Sequence, residues 1–147
     1  MECTIQWTGQ GVALSATTGS GHQLTMDGAP EAGGKNLGPR PMELLLAGTG
    51  GCTAFDVVMI LRKGRHDIKG CDVKVSAERA EADPKVFTHI HFDFTVEGRG
   101  LRPEVVSRAI ELSKEKYCSA SIMLGKTAKI THSLQIVESP TTDKNPR

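Results

Sequence analysis

The most constraining feature of this chain is a long stretch that is apolar on almost every side of a helical wheel. Apolar side chains recur from Leu44 to Leu61 with few breaks, which predicts a central helix with little surface facing solvent. Pro41 suits the first turn, Glu43 is favoured there by the helix dipole, and the helix is predicted to end near Lys63. Such a helix needs several neighbours to cover it.

Three glycines interrupt this helix just before a cysteine. Gly48, Gly50 and Gly51 each cost about 1 kcal/mol relative to alanine, so they predict either close helix packing or space for a ligand beside Cys52. A second cysteine, Cys118, ends another helical pattern, where it could meet Cys52 as a redox partner. Two thiols presented in this way suggest redox chemistry, although a small buried cysteine with only a structural role is common.

Composition narrows the classes of partner. Eighteen basic and seventeen acidic side chains give a net charge of +1 without a long run of either sign, which argues against nucleic acid and a polybasic membrane anchor. The N-terminus does not resemble a signal peptide, and we expect no segment of membrane-spanning length. These features predict a cytoplasmic protein with one domain over residues 1–138 and a disordered tail over residues 139–147.

The four cysteines, at positions 3, 52, 71 and 118, are expected to be mostly reduced in the cytoplasm. No pair has the Cys-x-x-Cys spacing of thioredoxin-type motifs and of common zinc sites, so we predict neither a bound metal nor a cofactor. His89 and His91 could add metal ligands only through tertiary proximity. Thiol reactivity would also need a cation near Cys52, and the possible donors include Arg40, Arg62, Arg65 and Arg79.

The order of predicted elements is typical of an α+β fold. Short strands before Met26 precede the central helix, and the later elements are a hairpin of strands 71–79 and 86–97, a helix over 103–117 and a strand over 128–137. The second hairpin strand alternates strictly, so one face is apolar, with Ile90, Phe92, Phe94 and Val96. The other face carries His89, His91 and Asp93 and is expected to be solvated.

Two segments together resemble the OsmC/Ohr family. They are Pro41-Met42-Glu43-Leu44-Leu45-Leu46-Ala47-Gly48-Thr49-Gly50-Gly51-Cys52 and Tyr117-Cys118-Ser119-Ala120, within the same order of strands and helices. Further segments resemble the YhfA-like branch of that family: Asp56-Val57-Val58, Lys63-Gly64-Arg65, Glu78-Arg79 and Phe87-Thr88-His89-Ile90.

The resemblance implies an α+β fold in which two chains intertwine as a homodimer, with central helices packed between antiparallel sheets. It implies reduction of organic hydroperoxides, with Cys52 as the peroxidatic cysteine, Cys118 as the resolving cysteine and a dithiol or protein as reductant. Peroxidase members place a glutamate where this chain has Met42, so Glu43 is the candidate for its role. Two alternatives stay open: persulfide or other reactive-sulfur handling at Cys52, and a non-enzymatic dimer that binds a small molecule.

Overall fold

The computed structural model describes residues 1–141, and these fall into two compact units. The first unit is Met1–Leu45, and the second begins at Leu46. Each unit carries its own three-stranded sheet, and the chain contains helices as well as strands, as expected of an α+β fold.

The first sheet is an antiparallel meander. Its strands β1 (Cys3–Trp7), β2 (Leu14–Thr18) and β3 (Gln23–Met26) lie in chain order and pair with their sequence neighbours. Its formation follows from the short alternating segments and the glycine-rich turns between them.

Asp27 organises the loop that follows this sheet. Its buried carboxylate accepts backbone N–H bonds from Gly28, Lys35 and Leu37 at 2.8–3.1 Å. These bonds, that from Leu37 first, lower the pKa of Asp27, because they favour the charged form. The loop is therefore closed around one anionic side chain.

The long helix α1 (Pro41–Lys63) has the predicted bounds. Arg40 precedes the helix, and its backbone N–H donates to Oε2 of Glu43 at 2.8 Å. This is the glutamate half of a capping box, in which a side chain of the first turn satisfies a backbone group at the helix start. The Arg40 guanidinium donates to Asn36 Oδ1 and to the Gly38 carbonyl, within the same loop.

Helix α1 is less covered than its composition predicts. Within its most apolar stretch of 18 residues only 28% is buried, and the Phe55 side chain is 66% exposed. The helix is long and apolar enough, by length and composition, to cross a membrane. The expectation that no segment reaches that length is therefore wrong. The glycines and threonines break the run of large apolar side chains in the sequence, but they do not end the helix.

The second sheet has the order β4-β5-β6 and is mixed rather than wholly antiparallel. Strand β4 (Asp67–Arg79) and strand β5 (Phe87–Arg99) form the predicted hairpin, and both are longer than predicted. Strand β6 (Lys129–Glu138) runs parallel to β5, with Ile90 opposite Ile130. A parallel neighbour requires a crossover, which the intervening helices supply.

The central strand β5 supplies the core of the second unit. The predicted apolar face is confirmed, since its four side chains are at most 3% exposed: Ile90, Phe92, Phe94 and Val96. The opposite face is wetter. There the Thr131 hydroxyl shares hydrogen bonds of 2.7 Å with His89 Nε2 and with His91 Nδ1. Alternation along the strand thus separates a dry face from a polar one.

The crossover contains three helical pieces instead of the single predicted helix over 103–117. Helix α2 (Pro103–Leu112) ends in a π-helical turn over Ser113–Tyr117, and helix α3 (Ser119–Leu124) follows Cys118. The π-helical turn widens the helix by one residue at its end, and such turns often lie at functional sites.

The chain is still held beyond β6. Ser139 donates its backbone N–H to the Gly98 carbonyl and its hydroxyl to Glu97, and Arg99 donates to the Pro140 carbonyl. The first residues of the predicted tail over 139–147 are therefore hydrogen-bonded to β5. Residues 142–147 lie outside the described part of the chain.

Candidate functional site

The structure brings Cys52 and Cys118 together, as the sequence predicts, and adds an unpredicted carboxylate. The two Sγ atoms and one carboxylate oxygen of Asp56 all lie within 4.8 Å of one another. Cys52 and Asp56 are four residues apart in α1, so they share one face of the helix. Cys118 reaches them from the end of the π-helical turn.

Cys118 is held in place by backbone bonds on both sides. Its N–H donates to the Ser113 carbonyl at 2.8 Å, which closes the π-helical turn. Its Sγ accepts the backbone N–H of Ser121 at 3.4 Å, so the thiol caps the N-terminus of α3. The side chain has no solvent exposure.

A hydroxyl relay supports Asp56 from behind. The buried Ser113 hydroxyl donates to Asp56 Oδ2 at 2.9 Å and lies 3.0 Å from the Thr53 hydroxyl. Thr53 is also buried. Because the relay spans α1 and the π-helical turn, it fixes the carboxylate beside the two thiols.

The environment of Cys52 favours a protonated thiol. Burial is the largest cause of its raised pKa, followed by the hydrogen bond with Cys118. The backbone N–H of Ala120 bonds to Cys52 and acts in the opposite direction, whereas the negative charge of Asp56 raises the pKa further. No arginine is among the groups of residues 1–141 that set the Cys52 pKa.

Two of the arginines considered as activators, Arg79 and Arg40, have other side-chain contacts. Arg79 donates from Nε to the Lys85 carbonyl at the end of the hairpin, at 2.8 Å. Arg65 lies in the exposed turn after α1, with a positive φ of 59°. Within the first unit, Arg40 is held by its own loop. Glu43 caps the start of α1 and is not a member of the thiol cluster.

One of the three glycines before Cys52 permits close packing of α1. A Cβ on Gly50 would lie 2.7 Å from Val75 Cγ2 of β4, so Gly50 permits close packing of the helix on the sheet. A Cβ on Gly48 or Gly51 would meet nothing within 4 Å. The predicted close packing is therefore found at Gly50, and space for a ligand beside Cys52 stays a prediction.

An apolar cavity of about 360 Å³ lies next to the cluster, in the second unit. Its lining includes Asp56 of the cluster and Tyr117, the residue that precedes Cys118 in the sequence. Most of its lining is apolar, contributed by Phe55, Met59, Ile60 and Leu112, with Lys63 also present. A cavity of this kind suits an organic group better than a small polar molecule.

Sequence reasoning missed Asp56 and Ser113. The spacing of Asp56 from Cys52 was a visible signal, because residues four apart lie on one face of a helix. Ser113 gave no comparable signal, since its bond to Asp56 joins residues 57 positions apart. The remaining cysteines lie elsewhere: Cys3 is exposed on β1, and Cys71 lies on β4, where burial raises its pKa.

Sequence comparison relates the chain to known proteins. The model of the family described as OsmC-like protein matches residues 33–133. The protein YhfA of Escherichia coli K12 is 47% identical over 137 residues, which cover 93% of this chain and 98% of YhfA.

Solved structures share the fold. A hypothetical protein from Aquifex aeolicus VF5 is similar with a TM-score of 0.81 and 26% identity, covering 95% of this chain and 97% of its own. The organic hydroperoxide resistance protein OhrB of Bacillus subtilis has a TM-score of 0.61 at 20% identity, with 91% of this chain and 96% of its own covered. At that identity, the likeness to OhrB concerns the fold alone.

Proposed function

Because this chain belongs to the OsmC/Ohr family, on its YhfA-like branch, we propose that it is a thiol peroxidase for organic hydroperoxides. The observation that carries the proposal is the pairing of two cysteine sulfurs within 4.8 Å. The two thiols differ in access, since Cys52 is half-buried and Cys118 is fully buried. This difference suits Cys52 to meet the peroxide and Cys118 to resolve the product.

The reaction has two chemical steps in the protein. The Cys52 sulfur attacks a peroxide oxygen, the O–O bond breaks, and the alcohol leaves with the proton of the thiol, so that Cys52 becomes a sulfenic acid. Cys118 then attacks that sulfur, and water leaves as the disulfide forms. A dithiol or protein reductant restores both thiols by thiol–disulfide exchange.

Backbone N–H groups support both sulfurs during this cycle. Ala120 bonds to Cys52, and Ser121 donates to Cys118, so neighbouring amides of α3 hold the two sulfurs side by side. The Asp56 carboxylate opposes the thiolate, which predicts that Cys52 reacts more slowly than a thiolate paired with a cation. We assign Glu43 an indirect part, through the capping of α1.

Substrate preference follows from the apolar cavity beside Asp56. We expect cumene hydroperoxide to be reduced at least about tenfold more efficiently than hydrogen peroxide, because each buried CH₂ group contributes about 0.8 kcal/mol. The measurement is kcat/KM for hydrogen peroxide, tert-butyl hydroperoxide and cumene hydroperoxide, with dithiothreitol as reductant.

A Met59→Ser variant supplies the matched control, since Met59 lines the cavity without belonging to the thiol cluster. It should lower kcat/KM for cumene hydroperoxide and leave that for hydrogen peroxide nearly unchanged. Equal efficiency for all three peroxides would contradict the proposed substrate class. Turnover of polysulfides without turnover of peroxides would move the assignment to reactive-sulfur handling.

We also propose that the protein is a homodimer in the cytoplasm. The exposed apolar side chains on α1 and α3, such as Phe55 and Met123 (66% and 67% exposed), need a partner. The family resemblance implies that this partner is a second copy of the chain. Sedimentation equilibrium should therefore give about twice the chain mass of 15.8 kDa. A Phe55→Glu variant should shift the protein towards monomer, whereas Lys126→Glu should not. A monomeric wild type would contradict the dimer.

A further inference from the structure

The proposed peroxidase reaction gives no positive role to Asp56, the third member of the thiol cluster. Two thiols and one carboxylate converge within 4.8 Å. Three groups that are anionic when deprotonated therefore share a small space.

The donor atoms match those that bind zinc. Zn²⁺ takes cysteine sulfur at about 2.3 Å and carboxylate oxygen at about 2.0–2.2 Å, commonly with tetrahedral geometry. Tetrahedral ligands at those distances lie about 3.6–3.8 Å from one another. The three ligand atoms, already within 4.8 Å, need to approach by about 1 Å at most. Soft thiolates also select such ions over Mg²⁺ and Ca²⁺.

Each of the three donors has a second bond that fixes it. Ser113 donates to Oδ2 of Asp56, and the Thr53 hydroxyl lies 3.0 Å from that of the serine. The amides of Ala120 and Ser121 bond to the two sulfurs. Bonds of this kind orient metal ligands and commonly change metal affinity by about 10–100-fold.

We propose that the reduced protein binds one thiophilic divalent cation of the Zn²⁺ class through Cys52, Asp56 and Cys118. On binding, two S–H protons pass to solvent and two metal–sulfur bonds form, with no change in oxidation state. Three protein ligands leave a fourth position for water or a small ligand. The cation occupies the same sulfurs that a peroxide would oxidise, so metal binding and oxidation exclude each other.

The prediction that the chain has no metal site is revised by this proposal. It rested on the absence of Cys-x-x-Cys spacing in the sequence. Here the first two ligands are four residues apart on one helix, and the third arrives from a distant segment. Local spacing does not reveal a site assembled in this way.

Cobalt provides the direct test. Titration of the reduced, metal-free protein with Co²⁺ should produce a thiolate-to-cobalt charge-transfer band. The band should stop growing at one Co²⁺ ion per chain. Zn²⁺ should displace the Co²⁺. Cys52→Ser should remove the band, Ser113→Ala should weaken binding by about 10–100-fold, and the matched control Cys71→Ser should leave binding unchanged. Absence of the charge-transfer band in the wild type would overturn the proposal.

A second readout uses only the wild-type protein, so it does not depend on how variants fold. Equimolar Zn²⁺ should slow alkylation of Cys52 by N-ethylmaleimide at least about tenfold while exposed Cys3 reacts as before. Equal slowing at both cysteines, or none at Cys52, would indicate an adventitious ion and overturn the site. These outcomes do not depend on peroxide turnover, which is measured on metal-free protein.

Discussion

Replacing Cys52 with serine should reduce the turnover of organic hydroperoxides by about a thousandfold or more, to the rate of the reductant alone. The expected loss is large because, in the proposed mechanism, Cys52 supplies the sulfur that breaks the O–O bond. It is the half-buried member of the pair. The serine hydroxyl still accepts hydrogen bonds, so the surroundings of α3 should persist. The measurement is dithiothreitol-dependent consumption of cumene hydroperoxide by the metal-free variant and the wild type.

The matched controls separate this role from general thiol reactivity. Cys71→Ser should retain wild-type turnover, because Cys71 lies on β4 and outside the cluster. Cys118→Ser should keep the first oxidation but lose the internal disulfide, and serine can take over the N-terminal cap of α3. If Cys52→Ser retained turnover, or Cys71→Ser lost it, the assignment of Cys52 would be wrong.

Truncation of Phe94 to alanine should lower the free energy of unfolding by about 3–5 kcal/mol. Phe94 lies on the central strand β5, is 1% exposed, and has its ring in contact with those of Phe92 and His132. Neighbours on both flanking strands prevent the cavity from collapsing. Urea unfolding, followed by circular dichroism, gives the change.

Two further variants make the Phe94 result specific. Phe94→Leu keeps most of the buried volume and should lower the free energy of unfolding by less than about 2 kcal/mol. Val137→Ala on β6, at a position that is 38% exposed, should change stability by about 0.5 kcal/mol at most. If Phe94→Ala lowered the free energy of unfolding no more than Val137→Ala does, the core would not be centred on β5.

Periodicity predicted the elements that dominate the fold. The bounds of α1 follow from Pro41 and the apolar run that ends near Lys63, and the dry face of β5 follows from strict alternation. These signals are local and repeat over many residues. They can therefore be read from the sequence without knowledge of tertiary contacts.

The crossover could not be predicted from the same signals. An uninterrupted helical pattern over 103–117 gives no indication that the last turn is π-helical, because this depends on the bond from Cys118 N–H to the Ser113 carbonyl. Alternation in β6 likewise predicts a strand without its direction, so its parallel pairing with β5 was not foreseen.

The candidate site was only half visible. The resemblance identified Cys52 and Cys118, and the structure places their sulfurs together. The carboxylate beside them was missed. An activating arginine was expected, but among the described residues no arginine contributes to the pKa shift of Cys52. Long-range bonds such as that from Ser113 to Asp56 leave no periodic trace in a sequence.

The most direct test of the redox pair is to treat reduced, metal-free protein with one equivalent of cumene hydroperoxide and to map every cysteine by mass spectrometry. We predict a Cys52–Cys118 disulfide in the wild type and a trapped sulfenic acid at Cys52 in the Cys118→Ser variant. Oxidation at Cys3 or Cys71 without preferential oxidation of Cys52 would contradict the proposed peroxidase.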